Sequence, residues 1–140
     1  MVERDVVLAK VATIDRCLAR IADVRARRAQ LLPVDVEDLV LLNIQRGAQA
    51  AIDLGAHVVT TEGLGLPDTV AGTFTLLEQN GIIDGELAER MRKMAGFRNV
   101  AVHAYQAIDP AIVEAIAVHH LDDLRRFAAR IVTRFGLSPG

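Results

Sequence analysis

Apolar residues recur at alternating spacings of four and three along the start of the chain, and this period predicts an amphipathic helix over residues 4–32. A second stretch with the helical period, residues 36–59, has one apolar half and one polar half. The apolar positions are Val7, Val11, Ile14, Leu18 and Ile21 in the first stretch, and Val40, Leu41, Ile44, Ala48, Ala51, Ile52, Gly55 and Val59 in the second. Both stripes are typical of helices packed along other helices.

Turn and capping residues predict where the helices begin and end. Pro33 is expected to end the first helix, and Asp35, with Asp38 three residues later, is expected to cap the second. A turn-rich connection follows, and then a short helix over residues 69–79 that ends at Asn80-Gly81. Asp84 is expected to cap a fourth helix that starts near residue 86.

Asp109 and Pro110 are predicted to open a fifth helix that continues to Gly136. Its apolar stripe is Val113, Ile116, His120, Leu124, Phe127 and Ile131. The sequence therefore predicts an all-α fold, an antiparallel up-down bundle of about five helices in a single domain that spans residues 1–140.

Composition narrows the class of protein. Apolar residues make up 51% and aromatic residues 4%, so aliphatic side chains and alanine must fill the core. The single cysteine, Cys17, excludes an internal disulfide and has no base near it in sequence. No apolar run approaches the roughly 20 residues that cross a bilayer, and the N-terminus lacks a signal-peptide pattern. We expect a soluble cytoplasmic protein with no membrane partner.

The net charge of −2 argues against the overall positive electrostatic potential that marks many nucleic-acid-binding proteins, but the charge is unevenly distributed along the chain. Residues 1–32 contain seven Lys or Arg against four acids, and residues 86–105 contain four against two. An anionic partner would contact these segments; the alternative is that they form solvated helix faces.

The polar half of the second helix contains Asn43, Arg46, Asp53 and His57 within about 80° of one another. Such a stripe is either a solvated face or the wall of a polar cleft. In the fourth helix, the buried register set by Leu87, Met91 and Met94 continues through Arg98 and Val102 to Tyr105. A buried guanidinium needs an acid, a ligand or a water-filled cleft, and Asp53 is the partner that we expect for Arg98.

His103 lies about 140° around a regular helix from Arg98 and about 7.5 Å along it. A straight helix does not direct both side chains to one point, so a shared site requires a kink, for which Gly96 is the candidate, or a second subunit. Asn99 can hydrogen-bond a neighbour. Each group also has a structural alternative: a satisfied histidine, a packed tyrosine or a paired arginine. His119 and His120 lack metal-ligand spacing, with His120 expected in the core and His119 at the surface.

The segment R-N-V-A-V-H-A-Y, residues 98–105, resembles the HepT-like toxin branch of the HEPN superfamily, which is marked by Arg, four residues, His, one residue and Tyr. N-I-Q-R-G-A-Q-A-A-I-D-L-G-A-H, G-L-G-L-P-D and M-A-G-F-R-N resemble the second helix, the following loop and the approach to the motif in that branch. The similarity covers roughly residues 5–135. Residues 68–74 depart from it, because relatives often carry a Ser-Tyr-Arg-like stretch there.

The resemblance implies a metal-independent, cofactor-free endoribonuclease that works as a homodimer, with the motifs lining a cleft between subunits. Arg98 would bind the scissile phosphate and His103 would act as general acid or base, leaving a 2′,3′-cyclic phosphate. Asn99 would orient the phosphate or the histidine, with Asp53 and Arg46 as supporting residues.

The same branch is usually paired with a small nucleotidyltransferase antitoxin that transfers AMP from ATP onto the motif tyrosine, here Tyr105. Two alternatives to an RNA-cutting toxin remain open from the sequence. One is a non-catalytic nucleotide-binding or scaffolding subunit of a nucleotidyltransferase complex, and the other is a purely structural helical dimer.

Overall fold

In the computed structural model, which describes residues 1–137, the two longest helices form an antiparallel pair. Helix α1 comprises Arg4–Ala26, a 3-10 turn follows at Arg28–Gln30, and α2 comprises Pro33–Thr61. The start of α1 lies beside the end of α2, and the amino group of Met1 donates a hydrogen bond to the carbonyl of Thr61 at 2.8 Å. The two helices pack more extensively against each other than any other pair in the bundle.

The predicted cap of α2 is wrong. The helix begins at Pro33, with Leu32 at the N-cap and no capping side chain, so Asp35 lies inside the first turn. Proline has its φ angle preset for the first helical position and lacks the N–H that a cap would satisfy. The carboxylate of Asp35 lies in the first turn, where it complements the helix dipole.

Helix α3 begins and ends within one residue of its predicted bounds, and α4 begins one residue before its predicted start. Helix α3 comprises Val70–Gln79, and α4 comprises Gly85–His103. Asp84 caps α4 by accepting a hydrogen bond from the N–H of Leu87 at 2.8 Å. Asn80 ends α3, and Gly81 adopts a φ of 70°, a left-handed conformation that a residue without Cβ reaches at little cost.

The predicted fifth helix is two helices, α5 (Pro110–His119) and α6 (Leu121–Arg134), with the break at His120. The Asp109 cap is confirmed, since its carboxylate accepts from the N–H of Ala111 at 2.8 Å. Asp122 and Asp123 occupy the first turn of α6, where carboxylates stabilise a new helix N-terminus. His120 is therefore a half-exposed junction residue, and its predicted core position is wrong.

Buried aliphatic residues from the six α-helices of residues 1–137 form one core, as the composition predicts. At its centre the rings of Phe74 and Phe127 meet edge to face, with centroids 5.3 Å apart. Gly55 lets α2 approach α3 closely, because a Cβ there would lie 3.0 Å from Cγ2 of Thr73. Within residues 1–137 there is no β-strand, and no helix combines the length and apolarity needed to span a membrane.

Candidate functional site

The last turns of α4 carry the arginine, asparagine and histidine of the motif. Arg98 is half-buried, and its Nη1 donates to Oδ1 of Asn99 at 3.1 Å, so the expected neighbour contact of Asn99 is confirmed. Nε of Arg98 is buried and has no hydrogen-bond partner within the described part of the chain. Asn99 and His103 are exposed. This helix end therefore carries a half-buried guanidinium and an exposed imidazole.

The chain leaves the helical register before the tyrosine. Helix α4 ends at His103, Ala104 adopts φ −139° and ψ 45°, and Tyr105 begins a 3-10 turn, Tyr105–Ala107. The predicted inward position of Tyr105 is therefore wrong, since the residue is 50% exposed. Val102, expected in the same buried stripe, is also exposed. The helix itself is continuous through Gly96.

The hydroxyl of Tyr105 donates to Oδ1 of Asp38 at 2.9 Å, although 67 positions separate the two residues. This hydrogen bond raises the pKa of Tyr105 above its ordinary value, and desolvation adds to the shift. The pair borders a groove of about 200 Å³ that is lined also by Glu37, Gln106 and Val113. Sequence reasoning treated Asp38 only as a helix-end acid, and no spacing in the sequence links it to Tyr105.

Asp53 does not pair with Arg98 within the subunit, so that prediction is wrong. Its Oδ2 lies 3.4 Å from Nζ of Lys10 on α1, and its Oδ1 accepts from Nε2 of Gln49 at 2.8 Å. The carboxylate therefore pairs with a cation on α1 and an amide on α2. The supporting role of Asp53 remains a prediction for the assembled protein.

Arg46 is exposed and borders a groove of about 720 Å³ between α1 and α2, together with Arg16 and Arg20. The amide of Asn43 at the same groove is buried and donates to the carbonyl of Leu39 at 2.8 Å. Burial raises the pKa of the Cys17 thiol there, which keeps it protonated. The groove has a basic rim, consistent with the charge excess of the first segment, and the supporting role of Arg46 remains a prediction.

The other three histidines, His57, His119 and His120, lie outside the motif. Nε2 of His57 accepts a hydrogen bond from the backbone N–H of Glu3 at 3.0 Å, so it ties the start of α1 to α2. Nδ1 of His120 lies 3.6 Å from the buried carboxylate of Asp123. His119 is exposed, as expected. Residues 1–137 contain no cluster of three or more His, Cys, Asp or Glu side chains placed to hold a metal ion.

Comparisons with known proteins place this geometry in a family. Residues 14–131 match the family described as ribonuclease HepT-like. The chain is 40% identical to the mRNA nuclease HepT of Shewanella oneidensis over 124 residues, and these residues cover 88% of this chain and 93% of that protein. It is also 35% identical over 81 residues to a putative RNase of Archaeoglobus fulgidus, covering 58% of this chain and 60% of that protein.

Among solved structures, the chain is similar to the tri-AMPylated HEPN toxin of Shewanella oneidensis in complex with MNT antitoxin. The TM-score is 0.86 at 38% identity, covering 94% of this chain and 99% of that toxin chain. The predicted all-α HEPN-like fold and the resemblance carried by R-N-V-A-V-H-A-Y are both confirmed. The chain belongs to the ribonuclease HepT-like family and is a ribonuclease.

Proposed function

We propose that this chain is the endoribonuclease toxin of a toxin–antitoxin pair in the cytoplasm, that it cleaves RNA through Arg98 and His103, and that AMP transfer to Tyr105 silences it. The observation that carries the proposal is the end of α4, where a guanidinium with no acidic partner among residues 1–137 lies five residues from an exposed imidazole. The half-exposed hydroxyl of Tyr105 follows two residues later.

The chemistry follows from the two side chains. A guanidinium is permanently charged and binds phosphate oxygens through its planar fork, so Arg98 stabilises the charge that develops on the scissile phosphate. An imidazole exchanges protons near neutral pH, so His103 removes the 2′-hydroxyl proton or protonates the leaving 5′-oxygen. Asn99 holds the guanidinium from the next position in the helix. The products are a 2′,3′-cyclic phosphate and a 5′-hydroxyl end.

A second subunit brings further copies of Arg98 and His103 to the site, because the two side chains of one helix do not point to the same place. Along α4, Arg98 and His103 point about 140° apart, and the exposed valines Val100 and Val102 lie on the same helix end as His103. At 100° per residue Val100 lies about 60° from His103 and Val102 about 40° from Arg98, so each of these motif side chains has an exposed apolar neighbour that a partner surface can cover. A two-fold homodimer packed there brings two copies of each group to one RNA strand.

The proposed partner that silences the toxin is a nucleotidyltransferase antitoxin. Its support is the Shewanella oneidensis relative, which is described as a tri-AMPylated toxin in complex with MNT antitoxin. In this chain the acceptor is Tyr105, which is half exposed. Each AMP adds a phosphodiester charge two residues from His103, where it competes with RNA for Arg98.

The test is cleavage of a purified RNA, such as an mRNA transcript, in EDTA by the wild-type protein and by Arg98→Ala and His103→Ala. We expect the wild type to produce cyclic phosphate ends and both variants to lose activity. His119→Ala, which removes an exposed imidazole from α5, is the matched control. Cleavage that survives both site substitutions would exclude the mechanism, and an inactive wild type would favour the scaffolding alternative.

A further inference from the structure

Tyr105 and Asp38 form a pair whose geometry suits a reaction at the phenolic oxygen. Oη of Tyr105 donates to Oδ1 of Asp38 at 2.9 Å, which links the 3-10 turn after α4 to the N-terminal part of α2. Tyr105 is 50% exposed, so part of its side chain is open to a partner while its hydroxyl donates a hydrogen bond to Asp38.

We infer that Asp38 is the proton acceptor for AMP transfer to Tyr105, so that the toxin supplies a catalytic residue for its own modification. The inference rests on the proposed function, in which Tyr105 receives AMP from ATP. In this step Oη attacks the α-phosphorus of ATP and forms an O–P bond. The bond from the α-phosphorus to the oxygen bridging to the β-phosphate breaks, and pyrophosphate leaves with that electron pair. The Oη proton passes to Oδ1 of Asp38 and from there to water.

The starting geometry explains why a base is needed. The hydrogen bond to Asp38 raises the pKa of Tyr105, so the phenol keeps its proton at neutral pH and little phenolate is present before attack. The proton must therefore leave as the O–P bond forms, to an acceptor already within hydrogen-bond distance. Asp38 meets this condition before any partner binds.

The neighbouring acid, Glu37, does not hydrogen-bond to the phenol of Tyr105 in the described structure. The titratable residues that line the groove are Glu37, Asp38 and Tyr105, and the α5 side of the groove is formed by Pro110 and Val113. Among the described residues, Asp38 is the carboxylate that hydrogen-bonds to the phenol. Glu37 is exposed on the same turn of α2 and serves as a matched control.

The experiment measures the rate at which AMP increments appear at Tyr105, by mass spectrometry, with the full-length protein, its nucleotidyltransferase partner, ATP and Mg²⁺. Asp38→Asn keeps the shape and a hydrogen-bond acceptor but loses the basicity. We expect it to slow transfer about 100-fold, and Asp38→Glu to restore a substantial part of the rate. Glu37→Gln should modify at the wild-type rate, and Tyr105→Phe should gain no adduct.

The pH dependence separates proton transfer from a merely structural role. Without the carboxylate, the rate depends on the phenolate fraction, which rises about tenfold per pH unit below the phenol pKa. The ratio of the wild-type rate to the Asp38→Asn rate should therefore shrink as pH rises. Taking the ratio at each pH cancels the pH dependence of the partner enzyme. Thermal unfolding of each variant verifies that it is folded.

Each outcome decides a different point. Slow transfer in Asp38→Asn with a ratio that shrinks at high pH supports the inference. A wild-type rate in Asp38→Asn, or a slowing that is the same at every pH, overturns the role of Asp38 while the modification of Tyr105 stands. A wild-type protein that gains no adduct at Tyr105 overturns both the inference and that part of the proposed function.

Discussion

Arg98 and Asn99, consecutive residues of α4, are joined by a 3.1 Å hydrogen bond from Nη1 to Oδ1. No acidic side chain of residues 1–137 forms a salt bridge with this guanidinium, and its Nε is buried without a partner. Within the described residues the Nη groups of Arg98 are therefore not engaged by an acid, and in the proposed mechanism they donate to a phosphate of the RNA substrate.

Replacing Arg98 with lysine should separate activity from stability. Lysine keeps the charge but lacks the planar fork, so we expect kcat/KM for RNA cleavage to fall by about 100-fold. The melting temperature should stay close to that of the wild type, since Arg98 makes no ion pair in the described structure. Measuring both quantities on the same preparation tests this prediction.

The matched control for Arg98 is Arg92→Lys, on the same helix. Arg92 bonds Glu78 at 2.9 Å and Glu89 at 3.0 Å, so its replacement should cost less than about 1 kcal/mol of stability and leave cleavage intact. Equal losses of activity in the two variants would contradict the assignment of Arg98.

Substituting Val102 with glutamate should disrupt the proposed homodimer. Val102 is 40% exposed on the end of α4, and an unpaired carboxylate buried in an interface is strongly unfavourable. We expect the dimer dissociation constant to rise by about 100-fold or more and RNA cleavage to fall with it, as followed by analytical ultracentrifugation and by activity. Val118→Glu on α5, where the valine is 53% exposed, should change neither quantity.

A methyl group at Gly55 should destabilise the bundle. Its Cβ would lie 3.0 Å from Cγ2 of Thr73 and 3.4 Å from Cδ1 of Leu77, so α2 and α3 must move apart. We expect Gly55→Ala to lower the free energy of unfolding by about 1–3 kcal/mol in urea titrations. Gly96→Ala is the control, because a Cβ there meets no atom within 4 Å; in a helix interior it should raise stability by about 0.5–1 kcal/mol. A stabilising Gly55→Ala would contradict the close approach.

Glu114 should contribute a small, acid-sensitive part of the stability. Its carboxylate accepts two hydrogen bonds from Arg25, at 2.7 and 3.0 Å, and the resulting interaction lowers the pKa of Glu114. A carboxyl group whose pKa is lower in the folded state contributes stability at pH values above its unfolded-state pKa, which is about 4.3. This contribution is lost as the pH falls through the pKa of the folded state. The side chain is 56% exposed, so solvent screening limits the effect to less than about 1 kcal/mol.

Urea unfolding of the wild type and Glu114→Gln tests this prediction. The variant should be the less stable protein near neutral pH, and the two should converge in acid below the folded-state pKa. Glu37→Gln removes an exposed carboxylate that makes no ion pair within residues 1–137 and should match the wild type at every pH. A gap between Glu114→Gln and the wild type that persists in acid would assign the loss to packing.

The sequence by itself determined the elements whose signals are local. The caps Asp84 and Asp109 act on N–H groups two or three residues away, and Gly81 ends α3 through its own backbone conformation. The spacing of three and four residues identified most of the buried stripes, and the motif from Arg98 to Tyr105 indicated the family. These features need no knowledge of which helices are neighbours in space.

Tertiary structure alone decided the contacts between distant segments. The Tyr105–Asp38 bond and the Lys10–Asp53 pair each depend on how two helices lie against each other, and no period in the sequence encodes that relationship. The break at His120 likewise could not be seen in the sequence, because the apolar stripe from Val113 to Ile131 continues across it. In the structure, Asp123 is buried beside Arg90 of α4 and Arg126 of α6. Local hydrogen bonding sets a helix, whereas the partners of its side chains follow from the packing of the whole core.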